Sequence, residues 1–175
     1  LGVGLEVSPS AIRAVVVDGS GTQVKLVAVQ DVPCDTAQPD SLARALTQLR
    51  RTLHLTSPVV LGVPSTSAIL ATVNPLVVNL QRSVLAVEFE LQQQLPFDLD
   101  QAAWHYQWLS SANGHPKRKF GLRSSEFGVN IPHSAFRIPY PGGAVIVAAM
   151  RRSLLEERLA CCRRAGLTVA AVAIN

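Results

Sequence analysis

The chain has 175 residues, of which 48% are hydrophobic and 16% charged, and its formal net charge is +4. This length and composition suffice for one domain or two small subdomains with a buried core, which excludes a disordered chain. No apolar run approaches the ~18 residues of a membrane helix, and the N-terminus lacks a signal-peptide pattern. We therefore expect a cytoplasmic protein, and because Leu1 is not methionine we expect it to be part of a longer one.

Three strands and a helix open the predicted fold. Apolar residues alternate from Val3 to Val7, a second apolar run covers 11–17, and a Gly-rich turn leads into a third at 24–32. A helix begins near Pro39, and its leucines form one stripe: Leu42, Leu46, Leu49 and Leu53. Residues 59–63 are almost wholly apolar, which is typical of a strand buried on both faces.

A second group of elements follows the apolar segments 69–73 and 75–78. Four residues recur at helical spacing, namely Val84, Val87, Leu91 and Leu95, and Pro96 ends this helix. Trp104, Tyr106 and Trp108 then alternate with smaller or polar residues, so the three rings share one face of a strand. Residues 110–142 hold the excess positive charge and predict an inserted basic loop. We favour a solvated insertion, with contact to anionic lipid, nucleic acid or an acidic partner as the alternatives, and for the protein as a whole we expect no nucleic acid partner.

The last elements are a strand at 144–149, a helix and a strand at 169–174. Ser153 and Glu156 form a capping box for the helix, and Gly166 is suited to end it in a left-handed conformation. Of its two cysteines we expect Cys162 to be buried and Cys161 exposed. The cysteines and histidines of the chain have no zinc or disulfide spacing, so we predict no metal site.

The middle of the chain resembles a known signature. Phe89, Glu90 and Gln92, followed by Leu95-Pro96-Phe97 and Tyr106-Gln107-Trp108-Leu109, resemble the F-E-x-x-Q…I-P-F…D-Y-Q-V-L pattern of PilM-type proteins. These are actin-like proteins of type IV pilus assembly (actin-like ATPase superfamily, FtsA/PilM group). The segment 148–172 is similar to a second block of that family.

The resemblance implies an α/β fold. An actin-like, ribonuclease-H-like subdomain would be formed by residues 1–66, a smaller α/β subdomain inserted at 67–168, and a strand at 169–175 that returns to the first. The implied role is a cytoplasmic scaffold, attached to the inner membrane through its partners. The implied partners are the N-terminal tail of a membrane-anchored PilN-type protein and other pilus inner-membrane platform proteins, and a homo-oligomer is left open.

Two sets of site residues follow from the resemblance. The first would hold the partner tail: Leu95, Pro96, Phe97, Trp104, Tyr106 and Trp108. The alternative is that the aromatic residues are ordinary half-buried sheet residues. The second set is a phosphate loop, D-I-G-S-S-S-I-K in the family, aligned here with residues 6–13: Glu6, Ser8, Ser10 and Arg13.

The phosphate loop is degenerate in this chain. Ser8 replaces the family's glycine, and Pro9 removes a backbone donor that would approach a phosphate. Glu6 is better explained as the polar residue at the end of an alternating strand than as an indirect magnesium ligand, because the sequence shows no convergent ligands. We expect no catalytic residue and no cofactor here, with ATP and magnesium only in a longer protein. Two alternative functions stay open, an ATP-binding enzyme of the superfamily (ATPase or sugar-kinase-like) and the cytoplasmic domain of a GspL-type type II secretion protein.

Overall fold

The computed structural model describes residues 1–19, 23–74, 83–109 and 144–174. The predicted loop at 110–142 and the apolar segment 75–78 lie outside these residues. In chain order the strands and helices are β1 (Gly2–Ser8), β2 (Ala11–Asp18), β3 (Lys25–Pro33), α1 (Pro39–Thr52), β4 (Val59–Val63), β5 (Ile69–Val73), α2 (Ser83–Gln94), β6 (Ala102–Trp108), β7 (Val145–Arg151), α3 (Arg152–Arg164) and β8 (Val169–Ile174).

The chain forms two compact units, Leu1–Ala68 with Ser153–Asn175, and Ile69–Arg152. In the first unit a five-stranded sheet has the order β3-β2-β1-β4-β8. β1, β2 and β3 are antiparallel neighbours, whereas β4 and β8 run parallel to β1. This topology, with the second unit inserted between β4 and α3, confirms the predicted α/β fold class.

Alternation along the strands produces the core of the first unit. Val3, Leu5 and Val7 point to the buried side of β1, and the leucine stripe of α1 packs as predicted, with Leu42, Leu46 and Leu49 fully buried. The structure groups α3 with this unit, whereas the family resemblance places residues 153–168 in the insertion.

The cysteines of α3 explain how this helix packs. Cys161 and Cys162 are both buried, so the expectation of an exposed Cys161 is wrong. Its thiol lies 3.4 Å from the carbonyl oxygen of Pro39, at the start of α1. Burial raises the pKa of the Cys162 thiol to about 11, which keeps it protonated and unreactive at neutral pH.

The second unit is smaller. Its sheet has the order β5-β7-β6 with antiparallel pairing throughout. α2 covers one face of the sheet, where Val87 and Leu91 join a buried cluster with Val145 and Val147. The helix ends at Gln94, as Pro96 predicted. Within the described ranges, no helix is long and apolar enough to cross a membrane.

We expect two glycines to respond oppositely to alanine. Gly166 has φ +72°, and a Cβ there would lie 2.7 Å from Nη1 of Arg50. Gly166→Ala should therefore lower the free energy of unfolding by about 1–2 kcal/mol. A Cβ at Gly4 meets open space, so Gly4→Ala should raise that free energy by ~0.5 kcal/mol. Urea denaturation measures both, and a loss of stability in Gly4→Ala would show that β1 has no room for a methyl group at this position.

Candidate functional site

The first candidate site is the turn between β1 and β2, and hydrogen bonds from Thr36 support it. The Thr36 hydroxyl lies 2.8 Å from the carbonyl oxygen of Ser8 and 3.0 Å from that of Pro9. The amides of Thr36 and Cys34 donate to the carbonyl oxygens of Pro9 and Ser10, at 3.2 and 2.9 Å. Three successive carbonyl groups are thus bonded to the segment that follows β3. The sequence does not point to Thr36, which is 3% exposed, because nothing local links it to the turn.

The charged residues of the predicted phosphate loop lie side by side on the sheet. Glu6, Arg13 and Asp31 are register neighbours on β1, β2 and β3. Arg13 donates from Nε and Nη2 to both carboxylate oxygens of Asp31, at 2.8 and 2.9 Å. Its Nη1 lies 3.8 Å from Oε2 of Glu6. The sequence alone does not indicate that Asp31 contacts Arg13, because this contact depends on the pairing register of β2 and β3.

The positive charge of Arg13 is balanced by the neighbouring carboxylates. The hydrogen bond from Arg13 lowers the pKa of Asp31, and the same bond raises the pKa of Arg13. Arg13 therefore remains paired with carboxylates at neutral pH.

The two serines of the predicted phosphate loop lie in the turn itself. Ser8 points its hydroxyl to the carbonyl oxygen of Ala11, 2.9 Å away, which closes the turn locally. Ser10 is exposed at the tip of the turn.

The second candidate is the aromatic face of β6. Trp104, Tyr106 and Trp108 lie on the face that packs against the core of the second unit, and all three are half-buried. The Trp104 and Tyr106 rings are stacked with centroids 5.9 Å apart, and the Trp108 ring meets Tyr106 edge-on at 6.5 Å. One side of this row contributes to the core, and the remaining surface is accessible.

The segment after α2 lies against the same cluster. Leu95 is half-buried on it, Pro96 is exposed, and Phe97 is half-buried. The Arg151 guanidinium lies 4.8 Å from the centre of the Phe97 ring, a cation–π contact. Leu95 and the aromatic row therefore share one cluster, next to Pro96 and Phe97. Arg151, on β7, could not be linked to this segment from the sequence.

The comparisons with known proteins identify the fold. No protein-family model and no curated protein sequence matches the chain. A solved PilM-PilN type IV pilus biogenesis complex has a chain with a TM-score of 0.71 and 22% identity, and the match covers 99% of this chain and 47% of that one. The cytoplasmic domain of EpsL, an inner membrane component of the type II secretion system of Vibrio cholerae, has a TM-score of 0.63 and 14% identity, with coverages of 97% and 56%.

These neighbours confirm the resemblance at the level of fold. The chain shares the fold of a chain of the PilM-PilN complex and of the EpsL cytoplasmic domain, and it spans about half the length of the solved chains that it matches. In the part of the chain that the structure describes, no group of three or more His, Cys, Asp or Glu side chains could hold a metal ion.

Thr36→Val tests the support of the turn. This substitution keeps the shape but removes the hydroxyl, which leaves the part-buried carbonyl groups of Ser8 and Pro9 less well bonded. We expect a loss of about 1–3 kcal/mol in the free energy of unfolding. Thr47→Val is the matched control, because the half-buried Thr47 hydroxyl bonds only the Ala43 carbonyl oxygen of its own helix. Equal losses in the two variants, measured by urea denaturation, would show that the turn needs no support from Thr36.

His105 gives the second unit a predictable pH dependence. Burial lowers the pKa of His105 from its ordinary value of 6.5. As the pH falls below 6.5, the unfolded chain therefore binds a proton before the folded chain does. Stability should decline from about pH 6.5 down to the folded-state pKa and level off below it. Urea midpoints between about pH 8 and pH 5 should show this decline, and it should be smaller in His105→Gln. An identical decline in the variant would assign it to other groups.

Proposed function

We propose that this chain is part of a PilM-like adaptor at the cytoplasmic face of the inner membrane, where it binds the N-terminal tail of a PilN-type protein. The observation that carries the proposal is an accessible aromatic row on an edge strand, beside an exposed proline and a half-exposed phenylalanine. The fold supports it, because the structural neighbour with a TM-score of 0.71 is a PilM-PilN complex.

The position of β6 suits the binding of an extended peptide. β6 is at the end of the order β5-β7-β6, and no strand among the described residues pairs with its outer edge. An extended tail can add to such an edge through main-chain hydrogen bonds, and alternate side chains then choose the partner. Trp104, Tyr106 and Trp108 provide a large contact area at low entropic cost.

The segment Leu95-Pro96-Phe97 supplies the anchor in this proposal. Pro96 and part of Phe97 are accessible, and Leu95 fixes the segment to the core. Arg151 covers the Phe97 ring and holds a positive charge beside it. An apolar residue of the tail would pack on Phe97, and its backbone carbonyl groups could accept hydrogen bonds from Arg151.

The two alternative functions differ in how well the site supports them. A GspL-type adaptor has the same support from the fold, since the EpsL domain is also a structural neighbour. A nucleotide-binding enzyme has less support, because the Arg13 side chain is occupied by Asp31 and Pro9 lacks an amide donor. Contacts with other platform proteins and a homo-oligomer belong to the adaptor proposal as well.

Phe97→Ala tests the tail-binding surface against a matched control. Removing an apolar anchor from an interface costs about 2 kcal/mol, so affinity for PilN-type N-terminal peptides should fall ~30-fold. Phe89→Ala removes the same side chain from α2, where Phe89 is 68% exposed and lies outside the proposed surface. Its affinity for the peptides should stay unchanged.

Binding is measured by fluorescence anisotropy with labelled peptides, and stability by thermal denaturation of the same samples. Phe97 also contributes to folding, so affinity is compared at a temperature at which both variants are folded. If Phe97→Ala loses stability but keeps its affinity, the segment belongs to the core and the tail binds elsewhere. If both variants lose affinity equally, the anchor assignment is wrong.

A further inference from the structure

An open groove of about 830 Å³ lies along α1 in the first unit. Arg44 and Arg51 of α1 and Arg164 of α3 line it, together with Asp40, Thr47 and Gln48. We call these six residues the arginine groove. It lies in the first unit, so it shares no residue with the aromatic row of β6.

The groove follows one flank of α1. Positions 40, 44, 47, 48 and 51 recur at spacings of three and four residues, which brings them to one side of a helix. A different side of α1 carries Leu42, Leu46 and Leu49 into the core. Since a helix rises ~1.5 Å per residue, Arg44 and Arg51 are about 10 Å apart along the helix axis. The groove is thus an accessible surface on a helix that the core holds in place.

Positive charge exceeds negative charge in the arginine groove. Its ionisable groups are three arginines and one carboxylate, that of Asp40. Arg164 Nη2 lies 2.7 Å from Oδ1 of Asp40, and the two side chains are 57% and 81% exposed. Arg44 donates from Nε to the backbone carbonyl oxygen of Asp40, at 3.3 Å. Among the described residues, neither Arg44 nor Arg51 forms an ion pair, so both can receive an acidic ligand.

The chemistry of the groove favours protein carboxylates. Guanidinium groups bind carboxylates with two parallel hydrogen bonds. In a peptide in the polyproline II conformation, residues three positions apart lie on the same face and are ~9 Å apart, which is close to the axial spacing of Arg44 and Arg51. Nucleic acid is a poorer fit, because duplex DNA carries a charge every ~1.7 Å and the lining contains the Asp40 carboxylate and no aromatic ring for a base to stack on.

We propose that the arginine groove binds an acidic segment of a protein partner, with carboxylates of the segment paired to Arg44 and Arg51. This interaction is additional to the binding of a PilN-type tail and does not depend on it. Asp40 limits the affinity, because it repels the ligand and occupies Arg164.

The test uses fluorescein-labelled peptides of about eight residues with glutamate at every third position, which places the carboxylates on one face of a polyproline II helix, and the same peptides with glutamine instead. Fluorescence anisotropy gives their affinities for the whole chain and for single-charge variants. Arg51→Gln should weaken binding of the glutamate peptide about threefold, and Arg44→Gln with Arg51→Gln about tenfold. Asp40→Asn should tighten it about threefold. All effects should shrink at high salt.

Arg163→Gln is the matched control, because this exposed arginine of α3 is outside the groove lining. It removes the same charge as Arg51→Gln and should leave the affinity unchanged. Equal weakening by Arg163→Gln and Arg51→Gln would reduce the effect to net charge and overturn the proposal. The proposal is also overturned if the glutamine peptide binds as tightly as the glutamate peptide, or if Asp40→Asn weakens binding of the glutamate peptide. A third contradicting result is an oligonucleotide that binds more tightly than the peptide and loses its affinity in the same groove variants.

Discussion

The parallel pairing of β4 with β8 is the constraint on which the two-unit organisation depends. These strands lie at residues 59–63 and 169–174, and the amide of Val59 also donates to the carbonyl oxygen of Thr168 at 2.8 Å. The pairing therefore joins the two ends of the intervening chain, which includes the second unit and α3, and closes it into one long loop in the sense of chain entropy. The entropic cost of closing a loop rises only with the logarithm of its length. An entire subdomain can therefore be inserted here while the first unit keeps its sheet.

The half-buried state of the aromatic row would link the stability of the second unit to the proposed binding of a partner tail. Trp104, Tyr106 and Trp108 pack on the core with part of their surface, and the rest remains accessible at the edge of the sheet. The two interpretations of these residues, as core and as binding surface, are therefore compatible. Rigid rings that the core already orders lose little further freedom when a ligand arrives.

The turn between β1 and β2 is the reason that we propose an adaptor rather than a nucleotide-binding enzyme. A phosphate-binding turn presents backbone amides to the anion. In this chain Pro9 lacks an amide hydrogen, and the carbonyl groups around it are bonded to Thr36 and Cys34. The nearby arginine is matched by Asp31. These contacts support the sheet, and they give the turn a structural role that needs no ligand.

Local patterns in the sequence determined most of the elements. The apolar runs at 59–63, 69–73 and 169–174 became strands with these bounds, and Pro96 and Gly166 ended their helices where backbone sterics require. The order of elements, with the resemblance, was enough for the fold class. These features depend on residues that are neighbours in the sequence, so local patterns are enough to predict them.

Only the tertiary structure decided the contacts between distant residues. The Arg13–Asp31 pair requires the register of β2 against β3, Thr36 reaches the turn only after β3 has paired, and Arg151 meets Phe97 only because β7 lies beside β6. Cys161 is buried since α3 packs with the first unit, and the arginine groove exists because α3 brings Arg164 to α1. Such contacts arise from packing across long stretches of chain, which no local period or motif encodes.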